Sequence, residues 1–458
     1  MRLVVDVVSG AVHVVDEPTW DLLDALRRAG GDQEAARAGL RETHPDSLLD
    51  EVQEEIARLA GEGALFTRDP WRDKGIPGPE PASPARPVIK SLCLHLAHDC
   101  NLRCAYCFGG GGGFGGRRGL MPPEVAKAAV DFLIDYSGER SRCEIDFFGG
   151  EPLLNPGVLK ETVGYARRRG NERGKSFNLT LTTNAVLLDE PIRDFLNQNG
   201  ISLVLSLDGR REVHDRMRVQ ADGSGSYDEV LENARAMVES RGHENYYIRG
   251  TYTRMNRDFA EDVLHMADLG FRHISVEPVV LPEGGEYALT EEDLPTLLAE
   301  YERLAAACRD RAERGAGFRF FHFDLDLDHG PCLPKRVKGC GAGSEYLAIT
   351  PEGDIYPCHQ FVGRPRYLMG NVMDSSLDLK TVESFRRADL LHKDPCRRCW
   401  VRFYCGGGCH ANAEAFNGSL HQPYSMGCRL LEKRMEAAIF LQVSARLSRT
   451  EDKGGITV

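Results

Sequence analysis

Three cysteines lie within eight residues of one another, directly after an apolar run that predicts a β-strand. Cys100, Cys104 and Cys107 form a Cys-x3-Cys-x2-Cys segment. Three thiolates on one loop can ligate three irons of a [4Fe–4S] cluster and leave the fourth iron open to another ligand. Zinc is the alternative, with His95 or His98 recruited, because structural zinc needs four donors. The segment therefore predicts a metal centre, either iron–sulfur or zinc.

A second group of cysteines lies in the last third of the chain. It contains a Cys-x2-Cys-x5-Cys-x3-Cys segment, with single cysteines before and after it. A zinc ribbon accounts for four of these thiols but not for seven in this order. The group consists of Cys340, Cys358, Cys396, Cys399, Cys405, Cys409 and Cys428.

The composition is that of an ordinary globular protein. The chain has 458 residues, of which 42% are hydrophobic and 28% charged. No stretch approaches the ~18 apolar residues of a membrane span, and no secretory signal is recognisable. We therefore expect a cytoplasmic protein without a membrane partner, in which the 14 cysteines stay reduced. A net charge of −12 argues against a nucleic-acid partner.

Residues 1–68 have the pattern of a small separate unit. Two β-rich runs around a Ser-Gly turn predict a hairpin, and two amphipathic segments after it predict helices. Such an order suggests a winged-helix-like module. The four segments are Arg2–Val8, Ala11–Val15, Thr19–Ala29 and Asp46–Ala60.

Strands and helices alternate over residues 89–325. Six βα units predict a parallel sheet, either doubly wound or a partial barrel. Functional residues should then gather at the carboxyl ends of the strands. The predicted strands are Ser91–Leu96, Cys143–Phe148, Phe177–Thr183, Ile201–Ser206, Tyr247–Tyr252 and His273–Val276.

The remaining segments are less regular. Residues 69–88 contain six prolines, which break helices and lack a sheet donor, so we predict an extended linker. Residues 326–445 are rich in Cys and Gly, and we expect bound metal to hold this domain together. Residues 446–458 are interpreted as a tail.

The first cysteine group resembles the signature of the radical S-adenosylmethionine enzymes, in which an aromatic residue, here Tyr106, precedes the third cysteine. The resemblance implies a partial (β/α)6 barrel. It also implies a [4Fe–4S] cluster whose open iron chelates S-adenosylmethionine, which is cleaved on reduction to a 5′-deoxyadenosyl radical. The catalytic residues are then Cys100, Cys104 and Cys107.

A second motif fits the same family. Gly149-Gly150-Glu151-Pro152 closes the second predicted strand and resembles the GGEP motif that binds the methionine amino group. Its glycines allow close approach of backbone to a ligand, and Glu151 supplies an acceptor for an ammonium. The resemblance places Ser206 and Asp208 near the ribose or the carboxylate, and Arg249 at the carboxylate. Taken alone, each of these three residues also fits a structural role, as a helix cap, in a turn or in an ordinary ion pair. The full set of cofactor-binding candidates is Tyr106, Gly149, Gly150, Glu151, Pro152, Thr183, Asn184, Ser206, Asp208 and Arg249.

The second cysteine group resembles a SPASM domain, the two-cluster extension of radical S-adenosylmethionine enzymes that modify peptides. The resemblance assigns four thiols to a distal auxiliary [4Fe–4S] cluster and three to a proximal one, so that the chain holds three clusters. The proximal cluster is one ligand short; either Cys332 or a thiolate of the substrate completes it. The distal ligands are Cys396, Cys399, Cys405 and Cys428; the proximal ligands are Cys340, Cys358 and Cys409.

A narrower resemblance is to the thioether-forming maturases of SCIFF peptides, which are Cys-rich ribosomal precursors. It rests on His95–Cys104, Phe114–Gly116 and Ser344–Phe361. Residues 1–68 likewise resemble the RiPP recognition element, which binds the leader of such precursors. Strand addition at the hairpin edge would then bind the leader. A purely structural small domain is the alternative.

These resemblances imply an enzyme that joins a peptide Cys to an acceptor residue, with Thr suggested, through a thioether. Its partners would be a Cys-rich precursor peptide and an electron donor such as ferredoxin or flavodoxin. Whether the sulfur is bonded to the α, β or γ carbon of the acceptor residue stays open. Within enzymes the alternatives are formylglycine formation and carbon–carbon crosslinking; from another class, the alternative is a non-catalytic zinc-binding scaffold.

Overall fold

A computed structural model describes residues 1–73, 86–281, 285–327 and 336–451. The N-terminal unit is a two-stranded antiparallel hairpin followed by three helices. Its elements are β1 (Arg2–Val5), β2 (Val12–Val15), α1 (Glu17–Arg28), α2 (Gln33–Ala38) and α3 (Asp46–Gly61). Both predicted helices are present, whereas α2 was not expected. It begins after Asp32, whose carboxylate accepts the backbone N–H groups of Glu34 and Ala35.

The predicted linker begins with one helical turn, α4 (Pro70–Asp73). The expectation that this segment contains no helix is therefore wrong at its start. Proline is tolerated in the first turn, where its missing N–H would have no helical partner. Residues 74–85 of the predicted linker lie outside the described residues.

Ten further strands form one sheet, and two short strands pair beside it. The sheet order is β11-β10-β9-β7-β6-β5-β3-β12-β13-β14, and β4 pairs with β8. The strands are β3 (Ser91–Ala97), β4 (Leu102–Cys104), β5 (Arg142–Gly149), β6 (Ser176–Thr183), β7 (Ser202–Ser206), β8 (Arg218–Gln220), β9 (Tyr246–Tyr252), β10 (His273–Pro278), β11 (Arg319–Phe320), β12 (Tyr346–Ile349), β13 (Asp354–Tyr356) and β14 (Gly370–Asn371).

The helices after the N-terminal unit cover the sheet or surround the second cysteine group. They are α5 (Pro123–Tyr136), α6 (Pro156–Arg173), α7 (Glu190–Gln198), α8 (Arg211–Met217), α9 (Tyr227–Ser240), α10 (Phe259–Asp268), α11 (Leu294–Glu313), α12 (Leu379–Arg387), α13 (Asp394–Arg397), α14 (Arg402–Cys405), α15 (His410–Asn417) and α16 (Ser425–Glu451). No helix among the described residues has the length and apolar character needed to cross a membrane.

The six predicted central strands are confirmed, each within two residues at either end, as β3, β5, β6, β7, β9 and β10. They are parallel, and each pairs with the strands that precede and follow it in this series. A doubly wound sheet would reverse its strand order at a switch point. The sheet therefore has the winding of a partial (β/α)6 barrel, left open because β3 pairs onward with β12 and not with β10.

Successive side chains along each strand point alternately into the apolar core and into the inside of the barrel. On β9, Ile248 and Tyr252 are fully buried, whereas Arg249 and Thr251 line a central chamber. The buried side chains of β3, β5, β6 and β7 join those of the covering helices in one apolar core. Polar side chains are thus left for the inside, where chemistry can take place.

The C-terminal part is more regular than the sequence suggested. Strands β12, β13 and β14 extend the barrel sheet past β3. Helix α16 continues through residue 451, so the predicted boundary between domain and tail at 445/446 falls inside a helix.

Candidate active site

The three-cysteine loop lies at the carboxyl end of β3. The pairing of β3 with β5 shifts between His95 and Ala97, which turns the chain into the loop. Strand β4 anchors the loop by pairing with β8, with Cys104 opposite Arg218. The sequence-predicted position after the first strand is therefore correct, and the β4–β8 ribbon is an unpredicted support.

The thiols of Cys100, Cys104 and Cys107 lie within electrostatic range of one another. Burial raises the pKa of Cys100 to about 12 and that of Cys104 to about 11, with the neighbouring thiols adding to the effect. Both are thus neutral thiols near pH 7 until a metal centre displaces their protons.

The glycines of the Gly149-Gly150-Glu151-Pro152 motif bring the end of β5 against the start of the cysteine loop. The N–H of Gly150 donates to Ala97 O (2.8 Å), and the N–H of Glu151 donates to Asp99 O (2.9 Å). A Cβ at Gly149 or Gly150 would overlap those same carbonyl oxygens. The glycines therefore allow the backbone at the end of β5 to lie close to the backbone of the cysteine loop. They also line the chamber.

Glu151 is fully buried and holds two strand ends together. Its carboxylate accepts hydrogen bonds from the Thr183 hydroxyl (2.7 Å) and the Asn184 N–H (2.8 Å) of the neighbouring strand end. A third bond comes from Leu153 N–H (3.0 Å) in the turn that Pro152 begins. Burial raises the pKa of Glu151 to about 7 against the effect of these bonds. In the structure Glu151 lies behind the chamber wall, and its contact with a ligand ammonium stays a prediction.

Thr183 and Asn184 do line the chamber. The Asn184 side-chain amide donates to Asn101 Oδ1 at 2.8 Å and lies 3.6 Å from Cys100 Sγ. The strand end of β6 is thereby tied to the cysteine loop; that it faces a cofactor stays a prediction.

Asp208 is the centre of a buried network and does not line the chamber. Its carboxylate accepts hydrogen bonds from the Tyr106 hydroxyl (2.5 Å), Arg218 Nε (2.9 Å) and Thr251 N–H (2.9 Å). Asp208 thus positions Tyr106 and Arg218, and its expected place near the ribose or the carboxylate stays a prediction. The Arg218 guanidinium lies 5.5 Å from the centre of the Tyr106 ring and lines the chamber.

Arg218 was missed by the sequence analysis. It follows Asp208 by ten residues on β8, and nothing in that spacing marks it, because the fold brings the two together through helix α8. The charge of Asp208 keeps the pKa of Arg218 well above its usual value despite burial. A fixed guanidinium beside the cysteine loop is thus available to a carboxylate.

A chamber of about 610 Å³ connects these groups. Ser206 and Arg249 line it side by side, in register on β7 and β9, and Glu277 lies at the end of β10. Glu277 was also missed; its carboxylate is held by Arg434 of α16 (3.2 Å) and His322 (3.4 Å). The chamber reaches Cys409 of the second cysteine group on its far side.

The structure brings the second cysteine group together as two sets of neighbouring thiols. Burial and the charges of Cys405, Cys396 and Cys399 together raise the pKa of Cys428 to about 12. Burial, with Cys409 and Cys340 adding to it, raises the pKa of Cys358 to about 12. Four thiols and three thiols thus form the two sets, while Cys332 lies outside the described residues.

The donor chemistry of the thiol sets suits iron–sulfur groups. Among the described residues, no three His, Cys, Asp or Glu side chains converge tightly enough to hold a single metal ion. Zinc requires its sulfur ligands at about 2.3 Å, whereas a four-iron cluster inserts its own cuboid between the thiolates. The all-thiol donor sets and the glycine-shaped approach beside Cys100 fit [4Fe–4S] groups.

The comparisons with known proteins agree with this geometry. Residues 94–269 match the family model described as radical SAM superfamily, and residues 340–400 match an iron–sulfur cluster-binding domain, SPASM. The chain thus contains a radical SAM domain followed by a SPASM domain. The cofactors of these domains are S-adenosylmethionine and [4Fe–4S] clusters.

One similar curated protein is the cysteine-type anaerobic sulfatase-maturating enzyme of Clostridium novyi (strain NT). It is 25% identical over 352 residues, which are 71% of this chain and 90% of the relative. The chain therefore shares most of the length of that relative.

Two solved structures share the fold. Native anSMEcpe with bound AdoMet and Kp18Cys peptide has a TM-score of 0.64 at 22% identity, covering 78% of this chain and 98% of that one. Streptococcus suis SuiB bound to precursor peptide SuiA has a TM-score of 0.51 at 17% identity, covering 93% of this chain and 96% of that one. The second likeness thus spans almost the whole chain.

Proposed function

We propose that this protein is a peptide-modifying radical S-adenosylmethionine enzyme that joins Cys to an acceptor residue, with Thr the suggested type, by a thioether. Its substrate is a ribosomally made, Cys-rich precursor peptide. The observation that supports this most is the single chamber, which opens to the three-cysteine loop on one side and to Cys409 of the proximal set on the other. A peptide inside it would meet both metal centres.

When bound, the clusters and S-adenosylmethionine supply one-electron chemistry and a radical able to remove a carbon-bound hydrogen. Overall, a C–H and an S–H of the peptide and one S-adenosylmethionine give a thioether, 5′-deoxyadenosine, methionine and a proton. The electron that starts the reaction is returned when the C–S bond forms, so the balance needs no further oxidant.

The residues of the chain bind and orient the reactants. Cys100, Cys104 and Cys107 would hold the cofactor-binding cluster. The backbone at Gly149 and Gly150 shapes the adjoining wall, while Arg218, fixed by Asp208, faces the methionine carboxylate in place of Arg249. Arg249 and Ser206 are then free to contact the adenosine or the peptide.

The proximal set has three thiols where a [4Fe–4S] cluster takes four ligands. Cys409, which belongs to this set, lies at the chamber wall. An incoming peptide thiol that completed the set would lose its proton on ligation and would be held next to the reacting carbon. Completion by Cys332 is the other possibility that the sequence leaves open.

Leader binding is proposed for the N-terminal unit. Strands β1 and β2 pair only with each other among the described residues, so each keeps an outer edge for strand addition. Val14 on β2 and Trp20 on α1 are large apolar side chains at the surface, 37% and 38% exposed. The fold likeness to SuiB, solved with its precursor peptide, supports this placement.

Formylglycine formation is a second candidate, favoured by the likeness to the sulfatase-maturating enzyme. That chemistry removes the sulfur from a Cys side chain, whereas thioether formation keeps it. Carbon–carbon crosslinking keeps it too, but leaves the thiol free. The products therefore separate the three reactions.

The test is anaerobic turnover of the reconstituted enzyme with the peptide encoded by a short Cys-rich reading frame beside its gene. We expect about twelve irons per chain, formation of 5′-deoxyadenosine, and loss of two hydrogens per crosslink by mass spectrometry. Stoichiometric zinc without iron would support the non-catalytic scaffold and refute the proposal.

A further inference from the structure

The surface above the distal cysteine set is basic. Arg397 and Arg398 lie between Cys396 and Cys399, and both are exposed. Besides the buried Lys393, residues 393–402 contain three basic side chains and one acidic one, Asp394, which lies 3.8 Å from Arg397. The chain as a whole carries a net charge of −12. A positive surface on an acidic protein attracts an acidic partner to that place and disfavours it elsewhere.

A groove of about 1330 Å³ runs beside these arginines, between the N-terminal unit and the SPASM domain. Arg397, Arg398 and Arg402 line it together with apolar side chains, including Phe66, which is 63% exposed. Arg402 is held in place by Asp69 at 3.0 Å. The groove thus combines positive charge with an apolar surface.

The groove is close to the distal set. Cys396 belongs to a small apolar cluster with Phe403, against which Trp71 packs, and both aromatic residues line the groove. The two rings lie 5.6 Å apart. A redox group seated in the groove would be separated from the Cys396 sulfur by little more than these side chains.

We propose that this surface is the docking site of a flavodoxin, an acidic protein that carries single electrons on a flavin. Acidic side chains around the flavin would pair with Arg397 and Arg398, and the apolar flavin edge would meet Phe66 and the partly buried Trp71. The reduced flavin would be oxidised by one electron to its semiquinone, and a cluster held by the distal thiols would be reduced by that electron; no atom is transferred. That the enzyme needs an electron carrier rests on the proposed function, whereas the docking of the carrier in this groove rests on the groove's own side chains.

The test measures binding of oxidised flavodoxin to the reconstituted holoenzyme by calorimetry at low and high salt. We expect salt-sensitive binding that the charge reversals R397E and R398E together weaken at least tenfold. The matched control is R167E with R168E, two adjacent exposed arginines on α6, which should change the affinity less than twofold. Iron content should equal that of the wild type in both, which excludes damage to the clusters.

Equal weakening by both double variants, or none by either, would overturn the proposal, as would arginine-dependent binding of a ferredoxin without binding of flavodoxin. Loss of affinity for the precursor peptide in place of flavodoxin would reassign the groove to the substrate. With dithionite as reductant, the R397E/R398E enzyme should act at the wild-type rate. Arginine-dependent docking without any thioether product would sustain this inference and refute the proposed function, so the two fail separately.

Discussion

The hydroxyl of Tyr106 donates a 2.5 Å hydrogen bond to the carboxylate of Asp208, which is 102 positions away in the chain and almost fully buried. This bond ties the cysteine loop to the end of β7. Because Asp208 also accepts from Arg218, one carboxylate positions both the loop and the guanidinium that faces the chamber.

We predict that Asp208→Asn weakens binding of S-adenosylmethionine about 10- to 100-fold, since a charge-assisted hydrogen bond contributes about 1.5–3 kcal/mol. Calorimetry on the reconstituted enzyme measures this. Asp131→Asn is the matched control, because Asp131 accepts from Tyr165 (2.6 Å) and Arg169 (2.8 Å) on the outer helices. Similar losses in both variants would show that Asp208 has only a structural role.

Gly150→Ala should reduce the iron content and lower the melting temperature. The added Cβ would overlap Asp99 O and push the cysteine loop away from β5, and such overpacking costs about 1–3 kcal/mol. Gly157→Ala on α6 has open space around the new Cβ and should behave as wild type. Normal iron content and normal cofactor affinity in the Gly150 variant would contradict the role given to the motif.

The ion pair of Glu277 with Arg434 predicts a pH-dependent contribution to stability. Burial acts to raise the pKa of Glu277, but His322, Arg434 and Arg249 outweigh it and lower the pKa to about 2. A lowered carboxylate pKa stabilises the fold above its unfolded value, near 4.5, and this stabilisation is lost as the pH falls from there toward 2.

Glu277→Gln should therefore reduce the free energy of unfolding at pH 7 by about 2–3 kcal/mol. Removing one partner of a fully buried ion pair costs about 3–5 kcal/mol, and we expect less here because the Glu277 side chain is 31% exposed. The difference from wild type should shrink below about pH 4.5. Glu302→Gln, which breaks an exposed pair with Lys433, should change little. The measurement is denaturant unfolding of the wild type and both variants at several pH values. If the wild type and Glu277→Gln differ in unfolding free energy by the same amount at every pH, the ion pair is not responsible.

Cys332→Ala tests how the proximal set is completed. If a peptide thiol supplies the missing ligand, the variant keeps its full iron content. Cys409→Ala should lose about four irons, since it removes one of three proximal thiols. An equal loss in the Cys332 variant would identify Cys332 as the fourth ligand.

The division of the later cysteines into two sets came only from the resemblance to a SPASM domain, whereas the sequence itself was sufficient for the barrel strands, because each alternates or is wholly apolar between turn residues. It could not reveal the partners of Asp208 or Glu277. A strand-end carboxylate fits a turn or cap equally well, and Arg218 and Arg434 reach them only through the tertiary fold. Pro70 and the end of α16 were misread because local composition suggested irregular chain where packing supports a helix.

The proposed function requires that a peptide sulfur becomes a thioether. The most direct measurement is alkylation of the product peptide with iodoacetamide, followed by tandem mass spectrometry. The account predicts one fewer alkylated Cys and two fewer hydrogens for each crosslink, with the sulfur retained and bonded to carbon of the acceptor. Full alkylation of a product that has lost two hydrogens, or a Cys that has lost its sulfur, would contradict it.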